Sequence, residues 1–181
     1  MLRVIAGSAK GLQLRTPPGS VRPTLDRVRE AVFSILHTQL PGARFADLYA
    51  GSGANGIEAL SRGASMCVFV DADAHALDVI AENLAHTRLG HKSRSYRLTL
   101  PTSLGVLSGK EGPFDVVYAD PPYDLKNYEA LILQVIDNKL LAEAGKLIVE
   151  HDARHELPQS VGVLQQIRKA RYGRVGITIF A

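Results

Sequence analysis

Asp47-Leu48-Tyr49-Ala50-Gly51-Ser52-Gly53-Ala54-Asn55-Gly56 decides the fold of this chain. An apolar run over 45–49 leads into it, and helical spacing over 54–62 leads out. Gly51, Gly53 and Gly56 stand in the order G-x-G-x-x-G, by which a parallel strand turns into a helix beside a nucleoside cofactor. Asp71 follows the next apolar run, 66–70. A carboxylate there offers two acceptor oxygens to two ribose hydroxyls. A turn that needs glycine only for its backbone is the plainer alternative, and Asp71 weighs against it.

On either side of this loop, strand and helix patterns alternate. Strands are expected over 45–49, 66–70, 95–98, 114–119 and 146–150, and helices over 54–62, 74–86 (N-capped by Asp73) and 127–137. Two closing strands, 163–169 and 175–180, follow each other too closely for a helical crossover, so they predict an antiparallel edge. Alternating β and α units imply a doubly wound α/β fold with helices on both faces. Before this core, runs at 2–6 and 12–14 flank a glycine-containing turn and predict a hairpin. A helix then follows Thr24, its expected N-cap, with Asp26 in its first turn.

The composition bounds the rest. The chain has 181 residues, 46% apolar and 22% charged, which suits one domain with its own core. The single cysteine, Cys67, excludes an internal disulfide framework and a cysteine-built zinc site; inside an apolar strand it reads as core packing. No metal site is expected among the histidines. No apolar run approaches a membrane span, and residues 1–10 lack a secretory core, so a cytoplasmic protein is expected. The net charge is +3, but residues 1–29 carry six basic residues against Asp26 alone, or +5, which leaves −2 elsewhere. A basic leader on a near-neutral body suits a polyanionic partner; a solvated basic face is the plainer alternative. Two further basic clusters are Arg88, Lys92, Arg94, Arg97 and Arg168, Lys169, Arg171, Arg174.

Two cofactors fit the glycine loop. A nicotinamide dinucleotide would set its pyrophosphate on the helix N-terminus. S-adenosylmethionine has no phosphate, and its cationic amino-acid end suits Asp47. A helix-capping role for Asp47 is the alternative. Asp120-Pro121-Pro122-Tyr123 separates the two cofactors, because it leaves the C-terminal end of a predicted central strand, where open α/β sheets place ligands. The lone pair of a nucleobase amine is delocalised into the ring. Asp120 can accept one N–H and the Pro121 carbonyl the other, which favours a pyramidal nitrogen and stabilises positive charge during attack. Prolines fix φ and lack an N–H, so they hold such carbonyls rigidly. Tyr123 offers a face for an extruded base. An ordinary Asp-Pro turn is the plainer reading of this element alone.

Together these elements resemble the class I, Rossmann-like S-adenosylmethionine-dependent methyltransferases. The segments Arg22-Pro23-Thr24-Leu25-Asp26-Arg27-Val28-Arg29-Glu30-Ala31-Val32-Phe33, Asp47 to Gly53 and Gly56-Ile57-Glu58-Ala59-Leu60-Ser61-Arg62-Gly63-Ala64, with Asp120 to Tyr123, are similar to the RsmD family of bacterial 16S rRNA (guanine-N2)-methyltransferases. The resemblance implies a mostly parallel seven-stranded sheet over 22–181. It implies an N-terminal β-hairpin extension, 1–21, that binds RNA. The expected substrate is one guanine of 16S rRNA in an assembling or assembled small ribosomal subunit. By motif position Asp47, Tyr49, Gly51, Ser52, Gly53, Asp71 and Ala72 hold the cofactor. Asp120, Pro121 and Tyr123 carry the chemistry. Arg3, Lys10, Arg15, Arg22, Thr24, Arg27 and Pro122 meet the RNA; for Arg22, Arg27 and Arg29 a surface or capping role is the alternative. Where relatives carry an acidic or amide residue near the adenine, this chain has Leu98-Thr99-Leu100-Pro101-Thr102-Ser103, so Thr102 or a backbone amide is expected there. Rivals are an Asp-Pro-Pro-Tyr enzyme acting on DNA adenine N6 or a protein glutamine, a nicotinamide-dependent dehydrogenase that leaves Asp120 to Tyr123 idle, and a non-catalytic RNA-binding module.

Overall fold

Strands buried on both faces read as continuous apolar runs, and such strands form the centre of the computed structural model, which describes residues 2–17, 24–123, 125 and 127–181. In chain order it contains α1 (Thr24–Ile35), β1 (Arg44–Leu48), α2 (Ala54–Ser61), β2 (Met66–Asp71), α3 (Ala74–Thr87), β3 (Ser93–Arg97), α4 (Leu104–Lys110), β4 (Phe114–Ala119), α5 (Tyr128–Asp137), β5 (Leu141–Asp152), β6 (Ser160–Val161), β7 (Leu164–Tyr172) and β8 (Val175–Phe180). The sheet order is β3-β2-β1-β4-β5-β8-β7-β6. β1 to β5 pair in parallel, and β8, β7 and β6 close the sheet in antiparallel fashion.

The sheet differs from the expected seven strands by one. β6 is two residues long and turns through Gly162, at φ 56°, to pair Val161 with Leu164. Burial of Val161 and Leu164 holds it there; two residues leave no alternation to read. β5 also starts earlier than 146, because its pairing with β4 shifts register between Phe114 and Val116. One apolar cluster, with Val32, Phe33, Ile57 and Ile80, packs α1, α2 and α3 on one face of the sheet. A second, with Leu104, Leu107, Leu131 and Val135, packs α4 and α5 on the other. Cys67 is fully buried in the first.

The N-terminal hairpin is present as a short antiparallel pairing. Val4 N donates to Leu12 O at 3.0 Å, Leu14 N to Leu2 O at 2.9 Å, and Arg3 bridges Gln13. Its turn rests on α2. Gly7, at φ 85°, allows this, since a Cβ there would lie 1.9 Å from the Ser61 carbonyl oxygen. Glu58 of α2, with no exposed surface, is the anchor. Its carboxylate accepts from Ile5 N at 2.7 Å, Ala6 N at 3.0 Å and Arg62 Nε at 2.6 Å, and lies 3.8 Å from Arg29 Nε. Arg29 also donates to the Arg3 carbonyl at 2.6 Å and to Asp26 at 2.9 Å. Arg29 is therefore a buried tie between α1 and the hairpin, neither the RNA contact nor the surface or capping residue that its position in the sequence suggested.

Glu58→Ala takes the acceptor from the Ile5 and Ala6 N–H groups and from Arg62 Nε, and removes the carboxylate beside the buried Arg29 guanidinium. Breaking one partner of such a cluster costs about 3–5 kcal/mol. Urea denaturation of the variant is expected to show a loss of that size; a loss below about 1 kcal/mol would contradict the anchoring role.

Candidate active site

The order β2-β1-β4 places the topological switch point between β1 and β4, where the chain leaves β1 for β2 on one side and later returns to fill β4 on the other. Leu48 stands opposite Ala119, and Asp120 N donates to Leu48 O at 3.3 Å. Ala50 N donates to Val70 O at 3.0 Å. These strand ends border a cleft of about 420 Å³ lined by Tyr49, Asp71, Ala72, Leu98, Thr99, Leu100, Asp120 and Pro122. That volume lies within the range of small-molecule sites.

The glycine loop forms one wall through unusual backbone angles. Tyr49 has φ 60°, Gly51 54° and Gly53 75°. Nothing lies within 4 Å of where a Gly51 Cβ would stand, whereas one on Gly56 would lie 2.3 Å from the Phe69 ring and 2.5 Å from Cys67 Sγ. Gly51 thus leaves open space beside the loop, and Gly56 lets α2 close on β2. Asp71 steadies the loop: Oδ2 accepts from Gly51 N at 2.8 Å, and Oδ1 from Asp73 N at 2.9 Å. A carboxylate has about four acceptor positions, so both oxygens retain capacity for a ligand. The Tyr49 hydroxyl is buried with no hydrogen-bond partner among the described residues, and burial pushes its pKa up to about 12.

Asp47 lies beneath the loop rather than on the cleft wall. Its Oδ2 accepts from Gly56 N at 2.8 Å in the first turn of α2, the capping role weighed for it above. Its Oδ1 has no partner among the described residues. Burial pushes its pKa up to about 8; the Gly56 N–H pulls it down, and the charge of Asp71 raises it further. Ser52 joins the loop to α3 through its carbonyl, which accepts from Asn83 Nδ2 at 2.9 Å. Asn83 also holds the end of the hairpin, accepting from Arg15 N at 2.8 Å and donating to Arg15 O at 3.0 Å. Sequence spacing gave no signal for Asn83, because an asparagine in a helix reads as a solvent-facing residue.

Asp120 and Pro122 form the opposite wall. Both Asp120 and Tyr123 are half-buried, and Pro121 is buried. The Pro122 carbonyl accepts from Leu125 N at 2.9 Å; no described donor engages the Pro121 carbonyl. Leu98, Thr99 and Leu100 close the end of the cleft beside Ala72. Thr102, expected near the adenine, turns its hydroxyl onto Thr99 O at 3.2 Å and is absent from this wall. The polar side chain after β3 that lines the cleft belongs to Thr99, in a segment whose lack of a carboxylate or amide hid it.

The basic residues lie apart from the cleft lining. Arg3 and Lys10 are exposed on the hairpin, and Arg27 is exposed on α1. Arg15 pairs with Glu82 at 2.7 Å on the surface. Arg22 lies outside the described residues, and Thr24 is described only as the first residue of α1. Among the described residues no three metal-ligating side chains cluster, and no helix is long and apolar enough to cross a membrane.

The family model described as "Conserved hypothetical protein 95" matches residues 2–181. The chain belongs to this family, the RsmD family. It is 39% identical over 180 residues to "Putative rRNA methyltransferase YlbH" of Bacillus subtilis (strain 168), covering 99% of this chain and 98% of that one. It is 35% identical over 159 residues to "Ribosomal RNA small subunit methyltransferase D" of Escherichia coli (strain K12), covering 87% and 78%. The solved structure of "Putative methyltransferase yhhF from Escherichia coli" superposes with a TM-score of 0.84 at 29% identity, covering 99% of this chain and 96% of that one. The residues present fit S-adenosylmethionine. The cleft pairs the Asp71 carboxylate with a glycine loop open at Gly51, and the Tyr49 hydroxyl beside it is buried with no partner among the described residues.

The raised pKa of Asp47 has a consequence for stability. The folded chain keeps its proton up to about pH 8, while the unfolded chain loses it near the ordinary 3.8. The group's contribution to stability therefore falls as pH rises across that window, by up to ~1.4 kcal/mol per pH unit. Asp47→Asn keeps an acceptor for Gly56 N and removes the titration. Urea denaturation between about pH 5 and 8 is expected to show the variant gaining on the wild type at up to that slope; parallel profiles would contradict a neutral Asp47.

Proposed function

We propose that this chain methylates the exocyclic N2 of a guanine in 16S rRNA, within an assembling or assembled small ribosomal subunit. S-adenosylmethionine is the methyl donor. The reading rests above all on the position of Asp120, whose main chain is tied to Leu48 at the end of β1 and which shares a cleft with Asp71. Bound there, S-adenosylmethionine supplies a methyl carbon made electrophilic by its sulfonium.

The chain supplies binding, orientation and electrostatics. Asp71 takes the ribose hydroxyls beside Ala72. Gly51, Ser52 and Gly53 bring main chain to the amino-acid end, Tyr49 flanks it, and Asp47 fixes the loop from below. Asp120 accepts one N–H of the guanine amine and the Pro121 carbonyl accepts the other. The pair favours a pyramidal nitrogen and stabilises the positive charge that develops on it. Asp120 then takes the departing proton. Tyr123 stacks on the extruded base with Pro122 at its edge. No covalent enzyme intermediate forms. The hairpin extension, residues 1–21, and the start of α1 supply phosphate contacts through Arg3, Lys10, Arg15, Arg22 and Arg27, with Thr24 beside them.

Two single variants divide the cleft between its two jobs. Asp120→Ala should lower kcat for methyl transfer to rRNA by about 10²–10³-fold while calorimetric S-adenosylmethionine affinity changes little. Asp71→Ala should weaken that affinity about tenfold or more, the loss of one charge-assisted hydrogen bond. Full turnover by the first or unchanged affinity in the second would refute the role concerned. Changing Arg3, Lys10 and Arg15 to Gln together should reduce the slope of log affinity against log salt by about two, at ~0.7 per phosphate contact on single-stranded RNA; an unchanged slope would return them to a solvated face.

A further inference from the structure

Away from the cleft, a second basic region carries charge equal to the whole chain's net. Residues 152–174 hold Arg154, Arg168, Lys169, Arg171 and Arg174 against Asp152 and Glu156. That +3 matches the net charge of the chain, because the +5 of residues 1–29 is offset by fifteen acidic against ten basic residues over 30–151. Topology brings the end of this region to the active-site rim. β5 runs parallel to β4 and ends on the cleft side. β8 begins there, with Val175 opposite Asp152, and β7 ends there, with Tyr172 opposite Val175. The β7–β8 turn thus lies on the same rim as Asp120, two to three strands across. At ~4.8 Å per strand this is about 10–15 Å, and at ~3.4 Å per stacked nucleotide it is the span of three or four nucleotides.

β7 lies near the sheet's edge, covered by β6 only at Leu164 and Gln165. Arg168, Arg171 and Arg174 are exposed. Arg171 donates Nε to Gly173 O at 3.0 Å, and the side chains of Arg168 and Arg174 have no hydrogen bond or ion pair among the described residues. Arg154 and Lys169, by contrast, are held by Asp152 at 2.7 Å and Glu156 at 2.9 Å.

We propose that Arg171 and Arg174 form a second phosphate-binding rim, which holds the RNA strand flanking the target nucleotide on the side of the cleft away from the hairpin. This rests on the reading of the chain as an RNA methyltransferase. The hairpin sits over α2, which packs on β1 and β2, so the two basic surfaces bracket Asp120 from opposite sides. Guanidinium forks match phosphate oxygens, and one strand gripped on both sides has its middle nucleotide held for extrusion into the cleft.

The test is the full chain with Arg171 and Arg174 changed to Gln, assayed on unmethylated small-subunit rRNA. The salt slope of binding should fall by about 1.4, so that the variant's deficit narrows about sevenfold between roughly 50 and 200 mM salt. At low salt KM for RNA should rise about tenfold or more, with kcat and calorimetric S-adenosylmethionine affinity unchanged. An active wild type alongside a variant with unchanged slope and KM overturns the rim alone. Unchanged RNA binding with new self-association in the centrifuge also overturns it, and assigns the arginines to guarding an open sheet edge. A wild type that transfers no methyl to RNA refutes the proposed function itself.

Discussion

The hydrogen bond from Asp120 N to Leu48 O closes the parallel pairing of β1 with β4, and the cleft depends on that register. It puts the strand end that starts the glycine loop beside the strand end that starts Asp-Pro-Pro-Tyr. Side chains alternate along a strand with a period of two, so a slip of one residue would exchange every face of β4. Buried Val116 and Tyr118 against one helical layer and Val117 and Ala119 against the other make such a slip costly. The core thereby holds a polar group in place at its edge.

Beneath the cleft the polar groups are few, and most are tied to a particular neighbour. Tyr118 donates to Glu150 at 3.0 Å within the core, and His151 bridges the Asp152 carbonyl and the Thr178 hydroxyl, each at 2.9 Å. Glu58 and Asn83 do more than satisfy themselves. Both bind the N-terminal segment, and both belong to helices that frame the glycine loop. The hairpin and the cofactor loop therefore share anchors. A segment read from sequence as an appended RNA-binding piece is built against the helices behind the glycine loop.

The parts legible in sequence were those written in a single residue type or a regular period. Val68, Phe69 and Val70 announce a doubly buried strand. Asp73 caps α3 by accepting from His75 N at 2.9 Å, as its position suggested. The two loops of the cleft were legible because glycine permits backbone angles that other residues avoid and proline fixes its own. What escaped depended on tertiary neighbours. α4 buries only Leu104 and Leu107 between glycines and serines. β6 exists because Gly162 turns two buried side chains under α5. Asp47 shares a face of β1 with buried Phe45, so it points into the layer of α2 and caps that helix; its depth below the cofactor loop follows from strand parity, which motif matching does not weigh. Asn83 acts through Arg15 and Ser52, and Thr99 lines a cleft whose other residues include Tyr49, Asp71 and Asp120, all far away in sequence.

The clamp on an exocyclic amine is tested most directly by where the methyl goes. Unmethylated small-subunit rRNA would be incubated with the full chain and labelled S-adenosylmethionine, then digested to nucleosides and resolved by mass spectrometry. Label confined to N2-methylguanosine is the expected result. Label on a ribose oxygen, on a ring carbon or on another base would contradict a cleft built around Asp120 and the Pro121 carbonyl.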